Sequence, residues 1–394
     1  MQTDKKILFI TEASLTPGAG ADLTLYNLFK NYNADNICHL CPSSTFKDIP
    51  DKKRANKSLI IFKDKFYKPI GRKSIVFKVV NNLISLLSDI LLKYYPISKS
   101  EINKFKPDII LICPISSIIL IYSQRILAAY PKLPYIVYYM DYGLTYDKES
   151  VTKKSLNLLK NANKWIMISE QLKELFEEAL KIRVKECFIA HNPIDKDKIF
   201  ALPNSNSDSF EIAYAGSIWP MHIDAVKLVA KALKLLKDRN ININFTLYTM
   251  PYFWDTYKQY WEENKVINGD WIPYEELRNF LPQKDILIVA SSFEEKEKDL
   301  IKSSIQTKVT DYLSFGVPVL SIGPEYAACH HFIKKWNCGF IFQKNDAIEL
   351  AKYLEYLMNN KGAAKKTAID FLPVLMENFE TKKVSEKLYA FINE

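Results

Sequence analysis

The stretch TKVTDYLSFGVPVLSIG, residues 307–323, decides the fold. It reads as a short helix that stops at Gly316 and runs at once into a buried strand. Glycine just past the last apolar turn ends a helix because a left-handed residue there carries no Cβ penalty. Val309, Tyr312 and Leu313 fall at helical spacing on the face that packs on a sheet. Lys308 and Asp311 are three residues apart and share a different face. Ser303 and Ser304 stand near the expected helix start, where a hydroxyl caps free N–H groups. A helix start that carries a lysine attracts phosphate, and a carboxylate one turn further in is able to accept hydrogen bonds from ribose hydroxyls. The layout suits a nucleoside diphosphate lying across the helix start.

Outward from this joint, short apolar runs alternate with amphipathic stretches of helix length. The expected strands are KILFIT, NICHLCP, LIIF, DIILICP, YIVYYMD, WIMIS and CFIAHN, then EIAYAG, INFTLYT, VINGDWI, DILIVAS, PVLSIG and GFIF. Strand–helix–strand alternation predicts parallel sheets covered by helices, and two such series predict two doubly wound α/β domains. Asn192-Pro193 breaks the pattern, and PNSNSDS at residues 203–209 reads as a linker, which places a boundary near Leu202. The expected division is residues 1–200, residues 201–370, and a helical tail at 371–394.

A chain of 394 residues exceeds one ordinary core. The net charge of +9 fits a protein that handles anionic ligands or leans on an anionic membrane. It is too diffuse for nucleic acid, and no motif of that class occurs. The N-terminal MQTDKKILFIT turns polar too soon for a secretory leader, and no uncharged apolar run is long enough to span a bilayer. A cytoplasmic protein with reduced thiols is expected, with peripheral contact at the inner face of the membrane as an option. The basic KDKFYKPIGRK and the amphipathic run after it, residues 63–95 together, carry that option. Cys38-His39-Leu40-Cys41 and the group Cys329, His330, His331 and Cys338 lack the paired spacing of a metal site, so no metal and no cofactor are expected.

Thr307-Lys308, Asp311-Tyr312-Leu313, Gly316 and Pro318-Val319-Leu320 resemble the donor-binding signature of GT-B glycosyltransferases, in particular the family-4-type retaining group (glycosyltransferase group 1). The resemblance follows segment order along most of the chain. It implies a GT-B fold: two Rossmann-like domains facing a cleft, with the C-terminal helix crossing back to the first domain. It also implies a first domain for the acceptor and a second for a UDP- or GDP-sugar donor.

Carried onto this sequence, Gly18 and Gly20 after the first strand match a loop that lies against donor phosphates and acceptor. Asp141, at the end of YIVYYMD, falls where the family places a polar pair near the sugar, although Met140 stands where a histidine is usual. His191 to Asp195 resembles the turn that ends the first domain. Asp195-Lys196-Asp197 is formally a metal-binding DxD, but its interdomain setting argues against that role. Gly216 and Ser217 match the phosphate loop of the second domain, without the Arg and Lys that commonly follow; His222 reads as an incidental loop residue. Trp271 and Ile272 fall where the nucleobase is received, with a plain core role equally open for Trp271. Ser304, Thr307 and Lys308 frame the expected phosphate site. Counting back from Asp311, the family's first paired acid falls on Ser303, so Glu294, Glu295, Glu297 and Asp299 are left as candidates to approach the sugar.

The expectation is a hexosyltransferase-type enzyme, retaining and metal-independent by resemblance. It moves a sugar onto the hydroxyl of a saccharide or lipid-linked acceptor, in bacterial surface polysaccharide or glycoconjugate synthesis. Lys308 eases departure of the nucleoside diphosphate, and Asp141 orients the acceptor or touches the donor sugar. Two alternatives stay open: a nucleotide-sugar epimerase on the same fold, and a non-catalytic nucleotide-sugar-binding subunit.

Overall fold

The computed structural model describes residues 4–18, 20–44, 46, 54–64, 96–141, 156–199 and 208–394. The chain divides into two units, one of Met1–Ala190 with Val384–Glu394, the other of His191–Lys383. From residue 65 on, the basic and amphipathic segment ending at 95 lies outside the described residues, as do Tyr142, Gly143 and most of the expected linker. No helix among the described residues is long and apolar enough to cross a membrane.

The first unit is built on β1 (Ile7–Thr11), β2 (Ile37–Pro42), β3 (Ser58–Phe62), β4 (Ile109–Cys113), β5 (Tyr135–Tyr139), β6 (Lys164–Met167) and β7 (Cys187–Ile189). They form one parallel sheet in the order β3-β2-β1-β4-β5-β6-β7, with Ile7 opposite both Ile37 and Ile109. β1, β4 and β5 are buried along their whole length. That is what a parallel sheet covered on both faces requires, and it is why these strands read as continuous apolar runs. The described helices are α1 (Ala21–Phe29), α2 (Lys99–Phe105), α3 (Ser117–Ala129) and α4 (Glu170–Leu180). In α4 the Ser169 side chain accepts from the Leu172 N–H, and Leu172, Leu175, Phe176 and Leu180 form the buried stripe.

The second unit repeats the plan. Its strands are β8 (Phe210–Ala215), β9 (Ile243–Tyr248), β10 (Ile267–Asn268), β11 (Ile286–Ala290), β12 (Val319–Ile322) and β13 (Phe340–Phe342), all parallel, in the order β10-β9-β8-β11-β12-β13. Its helices are α5 (Pro220–Asp238), α6 (Pro251–Thr256), α7 (Lys258–Glu263), α8 (Lys298–Ser303), α9 (Lys308–Ser314), α10 (Ala328–Trp336), α11 (Ala347–Asn359) and α12 (Lys361–Asn378). Pro220 opens α5, where its missing N–H costs nothing, and Ala225, Val226, Val229, Leu233 and Leu236 line its buried face. Gly316 follows α9 at φ 58, the left-handed stop read from the sequence.

The last helix, α13 (Thr381–Asn393), belongs to the first unit from Val384 on. Val384, Leu388 and Ile392 enter the same apolar core as Phe9, Leu28 and Ile109. Tyr389 and Ser385 both donate to the Leu28 carbonyl, at 2.8 and 3.1 Å, and so satisfy the end of α1.

Candidate functional site

In each all-parallel sheet the strand order reverses beside the first strand, at β1/β4 and at β8/β11. Open parallel sheets bind ligands beyond the strand C-termini at such a point. In the second unit β8 runs out into Gly216, which holds φ 120. That backbone favours glycine, and a Cβ there would stand 3.2 Å from Lys308 Nζ, so the strand end passes close beside this ammonium.

Three fastenings set α9 against the strand ends. The Tyr312 hydroxyl donates to the Ala215 carbonyl at 3.0 Å and accepts the Ala215 N–H at 2.9 Å. Thr310 Oγ1 donates to the Asn192 carbonyl at 2.9 Å, and Asn192 Nδ2 returns to Thr310 Oγ1 at 3.4 Å. Gln306 Nε2 donates to the Ala290 carbonyl at the end of β11, at 2.7 Å. The His191–Asp195 turn is thus part of the clamp on α9.

Lys308 is the first residue of α9. Its Nζ is buried, has no hydrogen-bond partner among the described residues, and lies 3.8 Å from the centroid of the Tyr214 ring. Burial pushes its pKa down to about 7. His222 is buried in the first turn of α5 rather than exposed on a loop, and burial, with the Lys308 charge second, holds it at about 3. It is a neutral neighbour of the lysine. A buried ammonium beside a strand end and a glycine carries a desolvation cost that its neighbours offset only in part.

Asp311, one turn further in, is 9% exposed, and burial lifts its pKa to about 6. Its Oδ1 accepts the Tyr274 hydroxyl at 2.7 Å. Lys198 Nζ stands 5.6 Å from the Tyr274 ring centroid and pairs with Asp195 at 3.5 Å. The formal DxD is therefore engaged with a lysine, and no cluster of three metal-type side chains occurs among the described residues.

Several expected residues sit differently from the reading of the sequence. Ser303 and Ser304 do not cap α9. Ser303 ends the separate helix α8 and donates to the Asp299 carbonyl, while Ser304 is extended and breaks the chain between the two helices. Thr307 precedes Lys308 in helical conformation and makes no side-chain cap. Trp271 is 58% exposed, which removes the core role left open for it; Ile272 is half-buried beside it. Gly269, just before them, has no room for a Cβ, which would fall 2.5 Å from the Tyr248 ring. The Ser217 carbonyl accepts the Tyr214 hydroxyl at 2.7 Å, holding the loop after β8 in its turn. Of the candidate acids, Glu295 pairs with Lys298 at 2.8 Å on the surface. Glu294 is exposed at the end of the short loop that leaves β11.

In the first unit Gly20 takes φ 59 as α1 begins, and a Cβ added at Gly18 would stand 3.0 Å from Asp22 Cβ. Asp22 Oδ1 accepts the Ser14 N–H at 2.8 Å and ties the loop after β1 to that helix. Glu12 Oε2 accepts the N–H groups of Ile115 and Ser116 at 2.9 and 3.2 Å, so it bridges the β1/β4 switch point and serves the start of α3. Burial raises its pKa. Glu12, Thr16, His39, Arg54 and Asn56 line a small cavity of about 20 Å³ there. Asp141 is exposed, two residues past β5. Cys38 and Cys41 are free, buried strand residues, and His39 Nε2 lies 3.2 Å from the Thr11 carbonyl.

Residues 209–360 match the family model described as Glycosyl transferases group 1. The match lies within the second unit. The whole chain shares the GT-B fold with solved structures. Anabaena HepE in complex with UDP-glucose is 14% identical over 98% of this chain and 99% of that chain, with a TM-score of 0.66. The lipopolysaccharide outer core galactosyltransferase WaaB is 15% identical over 98% and 99%, with a TM-score of 0.64. Sucrose-phosphate synthase from Thermosynechococcus elongatus is 10% identical over 98% and 97%, with a TM-score of 0.69. No curated protein matches the chain. The group 1 segment contains Gly216, Tyr274, Lys308 and Asp311.

Tyr214, Tyr274, Asn192 and Glu12 were not singled out from the sequence as functional. Tyr214 is fully buried in β8 and reads there as core. Tyr274 reaches Asp311 across 37 positions, and Glu12 reaches Ile115 across 103, distances at which no local pattern signals a contact.

Proposed function

We propose that the protein is a glycosyltransferase that moves a sugar from a nucleotide-sugar onto an acceptor hydroxyl. The diphosphate sits on the second unit beside Gly216 and Lys308, and the nucleoside extends toward Asp311 and Ile272. The observation that carries the proposal is the buried Lys308 ammonium, which has no hydrogen-bond partner among the described residues where the β8 strand ends. An arriving diphosphate supplies its missing counter-charge. During transfer the same ammonium stabilises negative charge growing on the departing diphosphate, and it does so in a site shielded from water. HepE, whose structure holds UDP-glucose, supports a nucleotide-sugar as the donor class. A hexosyl donor, retention at the anomeric carbon, independence of metal, and a saccharide or lipid-linked acceptor in surface polysaccharide synthesis are further parts of the proposal.

A second reading, a nucleotide-sugar-binding subunit without turnover, is favoured by one feature: Ser303 stands where an acid is expected. The epimerase alternative finds little support, since His39, His222 and His330 are buried away from such a role.

The test is thermal denaturation with UDP, GDP and UDP- and GDP-sugars, followed by assays of donor hydrolysis and of transfer to saccharide and lipid-linked acceptors. A ligand at a hundred times its Kd adds about 2.7 kcal/mol of stability. A shift that Lys308→Ala removes supports the site, and turnover separates enzyme from subunit. Absence of any shift, or a shift that Lys308→Ala leaves intact, overturns the assignment.

A further inference from the structure

We propose that Tyr274 is a positioning residue for the nucleotide: its hydroxyl pins one oxygen of Asp311 and leaves the other to accept from a ribose hydroxyl. This rests on the nucleotide reading given above and adds to it a residue and a division of labour within one carboxylate.

Asp311 is nearly buried, and a buried carboxylate needs donors. Among the described residues Oδ1 takes the Tyr274 hydroxyl at 2.7 Å, while Oδ2 takes no hydrogen bond. A carboxylate accepts through two oxygens and several lone pairs, so half of its capacity is unspent. The cations that act on it are Lys198, from the 3₁₀ turn Lys196–Lys198, and Lys308, from its own helix. Neither forms an ion pair with it at contact distance, and Lys198 is committed to Asp195.

Tyr274 is in turn held. It opens the 3₁₀ segment Tyr274–Asn279, directly after Pro273, whose fixed φ sets the entry of the chain. The Lys198 ammonium stands over its ring. A rigid phenol held between a cation and a carboxylate selects a single orientation of Asp311, which lowers the cost of ordering that side chain when a ligand arrives. The ligand group that completes such a carboxylate is a neutral donor of short reach, and in a nucleoside diphosphate that donor is a ribose hydroxyl.

The experiment measures Kd by calorimetry for whichever diphosphate the wild-type chain binds, UDP or GDP, and for its 2′,3′-dideoxy counterpart. The proteins are wild type, Tyr274→Phe, Asp311→Asn and the double variant. Tyr274→Phe is expected to weaken the ribonucleotide about tenfold and the dideoxynucleotide less than about twofold. The double variant is expected to lose no more than Asp311→Asn alone. Tyr274→Phe is also expected to move the acid limb of the ribonucleotide affinity profile to higher pH, because Asp311 loses a hydrogen bond that favours its ionised form. Equal losses for both nucleotides, or no loss, or an unchanged pH profile, overturn the role of Tyr274 while leaving the nucleotide site standing. A wild-type chain that binds neither diphosphate overturns both. Should Tyr274→Phe fail to fold, Asp311→Asn must still discriminate ribo- from dideoxynucleotide, and equal Kd changes for the two end the proposal.

Discussion

The Lys308 ammonium lies 3.8 Å from the centroid of the Tyr214 ring, and no carboxylate among the described residues forms an ion pair with it. The ring offers partial compensation through its quadrupole, worth about 0.5–2 kcal/mol. That falls short of what removal from water costs a charged group. The free protein therefore carries a destabilising residue at its proposed binding site, a common trade between stability and function.

The first prediction follows directly. Lys308→Met keeps the stem that packs on Tyr214 and deletes the charge. It should stabilise the ligand-free protein by about 1–3 kcal/mol, read as a higher urea midpoint with an unchanged slope. In the same variant the nucleotide-dependent thermal shift should vanish. A lower midpoint would mean that the lysine is a satisfied structural residue after all.

The pH dependence has two limbs of opposite sign. Lys308 sits at about 7 when folded, against about 10.4 for a free lysine. Between those values the unfolded chain holds the extra proton, so this residue makes the fold more stable as pH rises through the window. Asp311 sits at about 6, against about 3.9 for a free aspartate. Between those values the folded chain holds the extra proton, so its contribution makes the fold less stable as pH rises. Binding requires ionised Asp311 and protonated Lys308, which places the affinity maximum between about 6 and 7. On either side affinity should fall by up to about tenfold per pH unit. Calorimetry at pH 8 in buffers of different ionisation heat should show proton uptake with the nucleotide, and Lys308→Met should lack it.

Gly216→Ala brings two penalties together: a side chain at φ 120, and a methyl group 3.2 Å from Lys308 Nζ. The strained backbone costs about 1–3 kcal/mol. Denaturation should register that loss, and nucleotide affinity should fall beyond it because the ammonium is pushed off the strand end. Retained affinity in a folded Gly216→Ala protein would move the site elsewhere.

Much of this was legible in the sequence because it is local. Each expected strand has a counterpart, because the central strands of a doubly covered parallel sheet demand unbroken apolar runs and the chain supplies them; VINGDWI, at the sheet edge, keeps only the exposed Ile267–Asn268, so Trp271 and Ile272 lie beyond the strand. The α9–Gly316–β12 joint was legible for the same reason: a helical stripe, a glycine at φ 58 and a buried strand follow each other within 17 residues. Ser303 and Ser304 misled because hydroxyls near a helix start look the same whether they cap it or end the helix before it. Tyr274 and Asn192 were opaque for a different reason. Their partners on α9 are set by how the chain folds back on itself, and a phenol or an amide in a loop carries no mark of what it will meet.

The final prediction concerns α13. Leu388 is fully buried among Phe9, Leu28 and Ile109, in a core otherwise assembled from the first 190 residues. Tyr389 stacks edge-on against Tyr32 at 4.7 Å and donates to the Leu28 carbonyl. Leu388→Ala should cost about 2–5 kcal/mol through lost burial and the cavity left behind. Tyr389→Phe should cost about 0.5–1.5 kcal/mol, because it deletes one hydrogen bond and keeps the ring. Hydrogen exchange read on peptides covering β1 and α1 should speed up strongly in Leu388→Ala and slightly in Tyr389→Phe. Exchange in those peptides that ignores Leu388→Ala would mean that the tail does not hold the first unit's core together, whatever the sequence distance it spans.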